Sequence, residues 1–147
     1  MDYDLTNFTS AIVRLLAAVV LAGMVGLERE FHGRWAGLRT HMAVAMGAAV
    51  FAIVGTEVAP APSTDITRVI QGIAAGIGFL GAGTILKLSD QVEVKGLTTA
   101  SSIWLSAALG TAAGLGLYVL AFATTIVALG VLALLRPIEK WLVKKHK

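Results

Sequence analysis

Residues 96–135 contain no Asp, Glu, Lys or Arg, an unbroken run of 40 residues. As one helix the run would measure roughly 60 Å, because each residue rises about 1.5 Å. That is twice the ~30 Å hydrocarbon core of a bilayer. Such a run fits a membrane only by folding back. Gly114-Leu115-Gly116 is the natural place, since two glycines relax the backbone there beside Tyr118, a residue type that favours the interface. Two spans result, near 96–114 and 117–135.

The same arithmetic extends upstream. Residues 69–86 are a charge-free run of 18, and 42–56 are one of 15 that reaches spanning length when 38–41 join it. A segment near 8–27 is interrupted only by Arg14. The expectation is an all-α, polytopic transmembrane helical bundle with spans near 8–27, 38–57, 66–86, 96–114 and 117–135. Residues 1–136 then form the transmembrane domain. Composition agrees: 56% of the chain is apolar and 14% charged, whereas a typical soluble domain carries about 25% charged residues. A cleaved signal peptide would open with a basic stretch. This chain opens Met1-Asp2-Tyr3-Asp4, so the first segment is read as a permanent span.

Threading five spans puts ten of the twelve basic residues on one side: Arg29, Arg34 and Arg39, then Lys87 and Lys95, then five in the tail. Asp2, Asp4, Glu57 and Asp65 fall on the other. Cytoplasmic loops carry the excess of Lys and Arg, so the N-terminus is expected outside and the C-terminus inside. Residues 137–147 read as a basic amphipathic cytoplasmic tail. Pro137 opens it, and Ile138, Trp141 and Leu142 lie opposite Lys140, Lys144 and Lys147. Such a tail suits the surface of an anionic membrane.

The net charge of +3 does not point to nucleic acid, because no run or face gathers the basic residues to follow a phosphate backbone. The absence of cysteine removes disulfides, zinc–thiolate sites and thiol catalysis. No nucleophile stands beside a base and no metal-ligand cluster is present. The expectation is therefore a protein that is not an enzyme, with no catalytic residues, no metal and no cofactor.

Sixteen glycines are present, mostly in or beside spans. In lipid, helices associate through small residues that let backbones approach. Ala18, Ala22 and Gly26 make such a line on the first span, and Ala43 and Gly47 on the second. Gly72, Gly76, Gly78, Gly81 and Gly83 crowd the third, with Gly72–Gly76 a GxxxG pair and Ala74, Gly78 and Ala82 on another face. A helix small on two faces is expected at the centre of the bundle. The alternative is a broken helix that exposes backbone groups to a substrate. Residues 76–81 also fit GxGxxG, but they follow no strand and the acids Asp90 and Glu93 come too early for a nucleotide site.

Charges near the membrane are costly and mark candidate sites. Arg14 and Arg68 each lie just inside the outer end of a span. They either extend toward the interface or form an outer basic pair that attracts an anion. At the inner end Glu28 abuts apolar residues at a helix C-terminus, where a negative charge opposes the dipole. Arg29, Arg34 and Arg39 are its available partners, and Arg39, Thr40 and His41 open the second span at the same level. This cluster is read as an ion-pair network that locks two helices, or as an ion- or partner-responsive site. Thr98, Thr99, Ser101, Ser102, Ser106 and Thr111 make the fourth span rich in hydroxyls, expected to bond mainly across to a neighbour.

Gly26-Leu27-Glu28-Arg29-Glu30, Ala36-Gly37-Leu38-Arg39-Thr40-His41, the stretch from Gly76 to Ile85, and Val94-Lys95-Gly96-Leu97-Thr98-Thr99-Ala100 together resemble the membrane domain of the MgtC/SapB family. The resemblance implies an integral protein of the bacterial inner membrane, in a family linked to growth at low magnesium and, in some members, to virulence. It implies a modulator of other membrane proteins, and it marks Glu28, Arg29, Gly37, Arg39 and Thr40, with His41 beside them, as the functional inner cluster. Expected partners are the bilayer, another membrane protein and a second copy of the chain. Longer relatives carry a soluble C-terminal domain, and the expectation here is the membrane domain alone. The alternative is a small ion transporter or channel, with a path along the third and fourth spans.

Overall fold

The computed structural model describes residues 5–58, 64–87 and 94–145. Five helices dominate them: α1 (Leu5–Phe31), α2 (Leu38–Val58), α3 (Thr64–Ala82), α4 (Leu97–Gly114) and α5 (Tyr118–Lys145). Between α3 and α4, two-residue strands β1 (Leu86–Lys87) and β2 (Val94–Lys95) pair antiparallel, Leu86 opposite Lys95. α1, α2 and the stretch Tyr118–Pro137 of α5 are each long and apolar enough to cross a bilayer. α3 has a shorter apolar stretch, Ile66–Ala82. Apart from this small hairpin, the described residues have the all-helical build of a membrane protein.

Two helix ends are set by glycine. Gly33 (φ 62°) and Gly116 (φ 77°) adopt the left-handed conformation that closes α1 and α4. The Arg34 N–H bonds Arg29 O at 3.0 Å and the Gly33 N–H bonds Glu30 O at 2.9 Å, while Leu117 and Gly116 repeat the pattern onto Ala112 and Ala113. These are Schellman caps, which satisfy carbonyls left over at a helix C-terminus. The second lies where the 40-residue run was expected to fold back.

Inside and outside are distinguished by side-chain size. Large apolar residues point outward, among them Leu16, Val20, Phe51, Phe122, Val127 and Leu134. The interior is built of alanine and glycine: Ala18, Ala22, Ala45, Ala49 and Ala113 form one cluster with no exposed surface. Val25, Leu109 and Ala128 form a second. α4 is central and contacts all four other helices. Its glycines explain how. A Cβ on Gly114 would lie 2.7 Å from Ala49 O, and one on Gly110 would lie 2.7 Å from the carbonyl carbon of Ala45. The α2 and α4 backbones thus touch directly, an approach that only glycine permits.

Several expectations are corrected. α3 is not central: a Cβ on Gly72, Gly76 or Gly78 would meet nothing within 4 Å, and one on Gly83 would meet only carbonyls of its own helix. Gly81 alone packs against a neighbour, Ala100. On α2 the buried line is Ala45, Ala48, Ala49 and Ala52, while Ala43 is exposed and Gly47 faces open space. α3 ends at Ala82 rather than near residue 86, and α5 runs through Pro137 without a break. The tail's expected amphipathic face, with Ile138, Lys140, Trp141, Leu142, Lys144 and Lys147, lies outside the described side chains, as do Asp2, Asp4, Asp65 and Lys87.

Candidate functional site

Two of the four singled-out segments flank one end of the bundle, where α1 turns into α2. Gly26 makes the turn possible. A Cβ there would sit 2.9 Å from both Leu38 Cα and His41 Cβ. The two helices therefore cross with backbone against backbone.

α2 begins at Leu38, directly after Gly37, so no side chain at that position can cap it. Glu30 supplies the missing acceptor from across the turn: Leu38 N–H donates to Glu30 Oε2 at 2.7 Å. A carboxylate at a helix N-terminus is favourable for the dipole as well. Gly37 must be small for this to happen, because a Cβ would approach Glu30 Cδ to 3.1 Å. Glu30 is absent from the functional cluster expected from the sequence. The available signal was an acid in the last turn of α1, before a short connection to a helix whose own cap position is glycine.

Arg29 is 2% exposed, the most buried cation among the described side chains. Its place follows from spacing, since Ala18, Ala22, Val25 and Arg29 continue one face of α1 into the interior. Its Nε donates to Oε2 of Glu28, whose side chain is 9% exposed. His32 Nδ1 donates to Glu28 O at 2.7 Å and also lies 2.9 Å from Glu28 Oε1. One N–H serves one acceptor well, and the carbonyl takes it. Glu28 Oε1 and Arg29 Nη1 are buried without a hydrogen-bond partner among the described residues. These ion pairs are therefore confined to residues 28–32, and among the described residues none joins α1 to α2. Arg34 and Arg39 are exposed and form no ion pair with described residues.

His41 provides a cross-helix polar link. It is fully buried, with Nδ1 2.8 Å from Gly37 O and Nε2 3.1 Å from Ser102 Oγ on α4. A carbonyl only accepts, so Nδ1 carries the proton, and in the neutral ring Nε2 accepts from Ser102. The Ser102 hydroxyl also lies 2.9 Å from Thr99 O. Its single proton chooses between these two acceptors. Three other α4 hydroxyls differ from expectation: Ser101, Ser106 and Thr111 donate to carbonyls four residues back in their own helix. Thr40, one residue before His41, lines a recess of about 290 Å³ with Trp35, Leu80, Gly83, Thr84 and Ile103. The third segment therefore reaches the same end, and the fourth follows through β2 and Thr99.

At the opposite end Arg14 and Arg68 differ in their surroundings. Arg14 is half-buried and its Nη1 donates to Gly114 O at 3.0 Å, capping the C-terminus of α4. Arg68 is exposed. Arg14 also borders a polar recess of about 180 Å³ with Asn7, Ser10, Thr56 and Glu57. Among the described residues no three His, Asp or Glu side chains gather as a metal site.

The sequence model of the MgtC family matches residues 15–141. Protein MgtC of Brucella abortus is 46% identical over 124 residues, covering 84% of this chain and 50% of the relative. Protein MgtC of Salmonella typhimurium is 44% identical over 125 residues, covering 85% and 52%. Protein SrpB of Synechococcus elongatus is 45% identical over 115 residues, covering 71% and 63%. The chain thus spans about half to two-thirds of the length of these relatives. No solved structure matches it.

Proposed function

The chain belongs to the MgtC family, and we propose that it is a five-span protein of the bacterial inner membrane that modulates other membrane proteins during adaptation to low magnesium. In this reading it neither conducts an ion nor catalyses a reaction. The N-terminus lies outside, and the end bearing Arg29, Arg34 and Arg39 faces the cytoplasm, following the distribution of basic residues. The cluster of Glu28, Arg29, Gly37, Arg39, Thr40 and His41 is the part presented to, or transmitting to, a partner.

The observation that carries this reading is the seal at mid-height. Charged side chains gather at the two ends, and Ala18, Ala22, Ala45, Ala49 and Ala113 fill the space between them with no exposed surface. A transporter needs polar groups that reach the midplane. The α4 hydroxyls do not supply that route, because three of them are turned onto their own helix.

Purified full-length protein in liposomes tests the choice. No uptake of Mg²⁺ above protein-free vesicles is expected, and flux that scales with protein would overturn the proposal. In cells lacking the chromosomal copy, Arg29→Ala should abolish support of growth at low magnesium while Arg68→Ala retains it. Topology has its own test: alkaline phosphatase fused after Pro62 should be active and after Asp90 inactive, and the reverse pattern would refute the orientation.

A further inference from the structure

We propose that the groove between α2 and α3 seats one acyl chain of an anionic phospholipid from the leaflet at the basic end, with its phosphate held near Thr40 and Arg39. The groove is a cavity of about 590 Å³ whose walls are Ala43, Gly47 and Phe51 on α2 and Val69, Gly72 and Gly76 on α3. Ala107 of α4 forms its floor. The recess beside Thr40 continues the same line, because Thr40, Ala43, Gly47 and Phe51 follow one face of α2, and Ile103 lies one turn before Ala107 on α4. One end is therefore wholly apolar and the other carries hydroxyls, an indole and flanking arginines.

Three observations select a lipid over a helix. From Thr40 to Phe51 is 11 residues, about 17 Å of helix, which is the depth of one leaflet, about half of ~30 Å. A transmembrane helix would need the full thickness, and at about 10 Å across it is too wide for a slot that narrows to contact. The slot closes at its far end, where a Cβ on Gly55 would lie 3.0 Å from Val69 Cγ2. Charge supplies the third argument. Arg34 and Arg39 adjoin the lining residues Trp35 and Thr40, are exposed and pair with no described carboxylate. Arginine holds phosphate through two parallel N–H donors. Gly47, Gly72 and Gly76 then keep the slot empty of the protein's own side chains.

The test follows from that emptiness, since a Cβ at Gly72 or Gly76 meets nothing within 4 Å and a longer side chain there fills the groove. Native mass spectrometry of the detergent-purified full chain, titrated with phosphatidylglycerol or phosphatidylcholine, reads binding directly. Wild type should retain phosphatidylglycerol about tenfold more tightly. Gly72→Leu and Gly76→Leu should each lose about tenfold in affinity. Arg39→Gln should erase the preference between the two lipids. Gly130→Leu, at a glycine on α5 that also meets nothing, should bind as wild type does.

Equal binding by Gly76→Leu and Gly130→Leu would overturn the proposal. So would a change from dimer to monomer in Gly72→Leu with lipid binding intact, which would make the groove a site for a second copy. A phosphatidylglycerol with a photoreactive acyl chain tests the unmodified protein: labels should concentrate on Phe51, Val69, Ile73 and Ile77. Labelling spread evenly over α1 and α5 would contradict the assignment. A lipid in this groove requires that the chain span the membrane, not that it modulate a partner, so Mg²⁺ flux would leave lipid binding standing, and loss of lipid selectivity would leave the proposed function standing.

Discussion

Gly110 on α4 and Gly76 on α3 are the same residue in similar apolar helices, yet they do opposite things. At Gly110 an added methyl would strike the backbone of Ala45, and at Gly76 it would meet nothing within 4 Å. The α1–α2–α4 unit is therefore held by backbone approach, and α3 rests beside it with a groove along its α2 side and another beside Trp104 and Leu120. Glycine in a membrane helix marks either contact or space. Neighbours across the helix pair, not the spacing along one chain, decide which.

The contrast can be broken most sharply at the buried charge of the tight unit. Arg29→Ala leaves Glu28 nearly buried without its cation and should cost about 3–5 kcal/mol, read by unfolding the detergent-solubilised protein and following helical signal. Gly114→Ala drives a methyl against Ala49 and should cost about 1–3 kcal/mol in the same assay. His41→Ala removes the link to Ser102 and vacates a fully buried site, for about 2 kcal/mol. Arg14→Met uncaps α4 and should cost about 1 kcal/mol. At the other extreme, Gly47→Ala lies on the groove side of α2 and should change stability by less than about 1 kcal/mol, in the stabilising direction, because alanine favours helix. A loss at Gly47 as large as that at Gly114 would erase the distinction.

Much of the fold was legible because lipid imposes a length. The charge-free run had to turn, and the glycines at its middle gave the turn at Gly116. The line Ala18–Ala22–Gly26 on α1 was legible for a related reason, since it is the only small face on that helix. The second and third spans were harder. α2 has small residues on several faces, and pattern alone selected Ala43 and Gly47 where packing uses Ala45 and Ala49. α3 is small on two faces, which reads as a central helix, whereas hydroxyl-rich α4 takes that place: Ser101, Ser106 and Thr111 bond within the helix and its small residues let four neighbours approach. At the candidate site Glu28 pairs with Arg29, one of its expected partners, but the partners of His41 and of the α2 N-terminus were not legible. Ser102 lies 61 residues from His41, and the acceptor for Leu38 comes from Glu30 through a turn whose geometry the sequence does not display.

The most direct test of a tight α2–α4 seam beside a loosely seated α3 is the stability of Gly110→Ala and Gly76→Ala measured side by side in one detergent. Gly110→Ala should lose about 3 kcal/mol or fail to fold, and Gly76→Ala should match or slightly exceed the parent. Equal losses at the two positions would contradict the account.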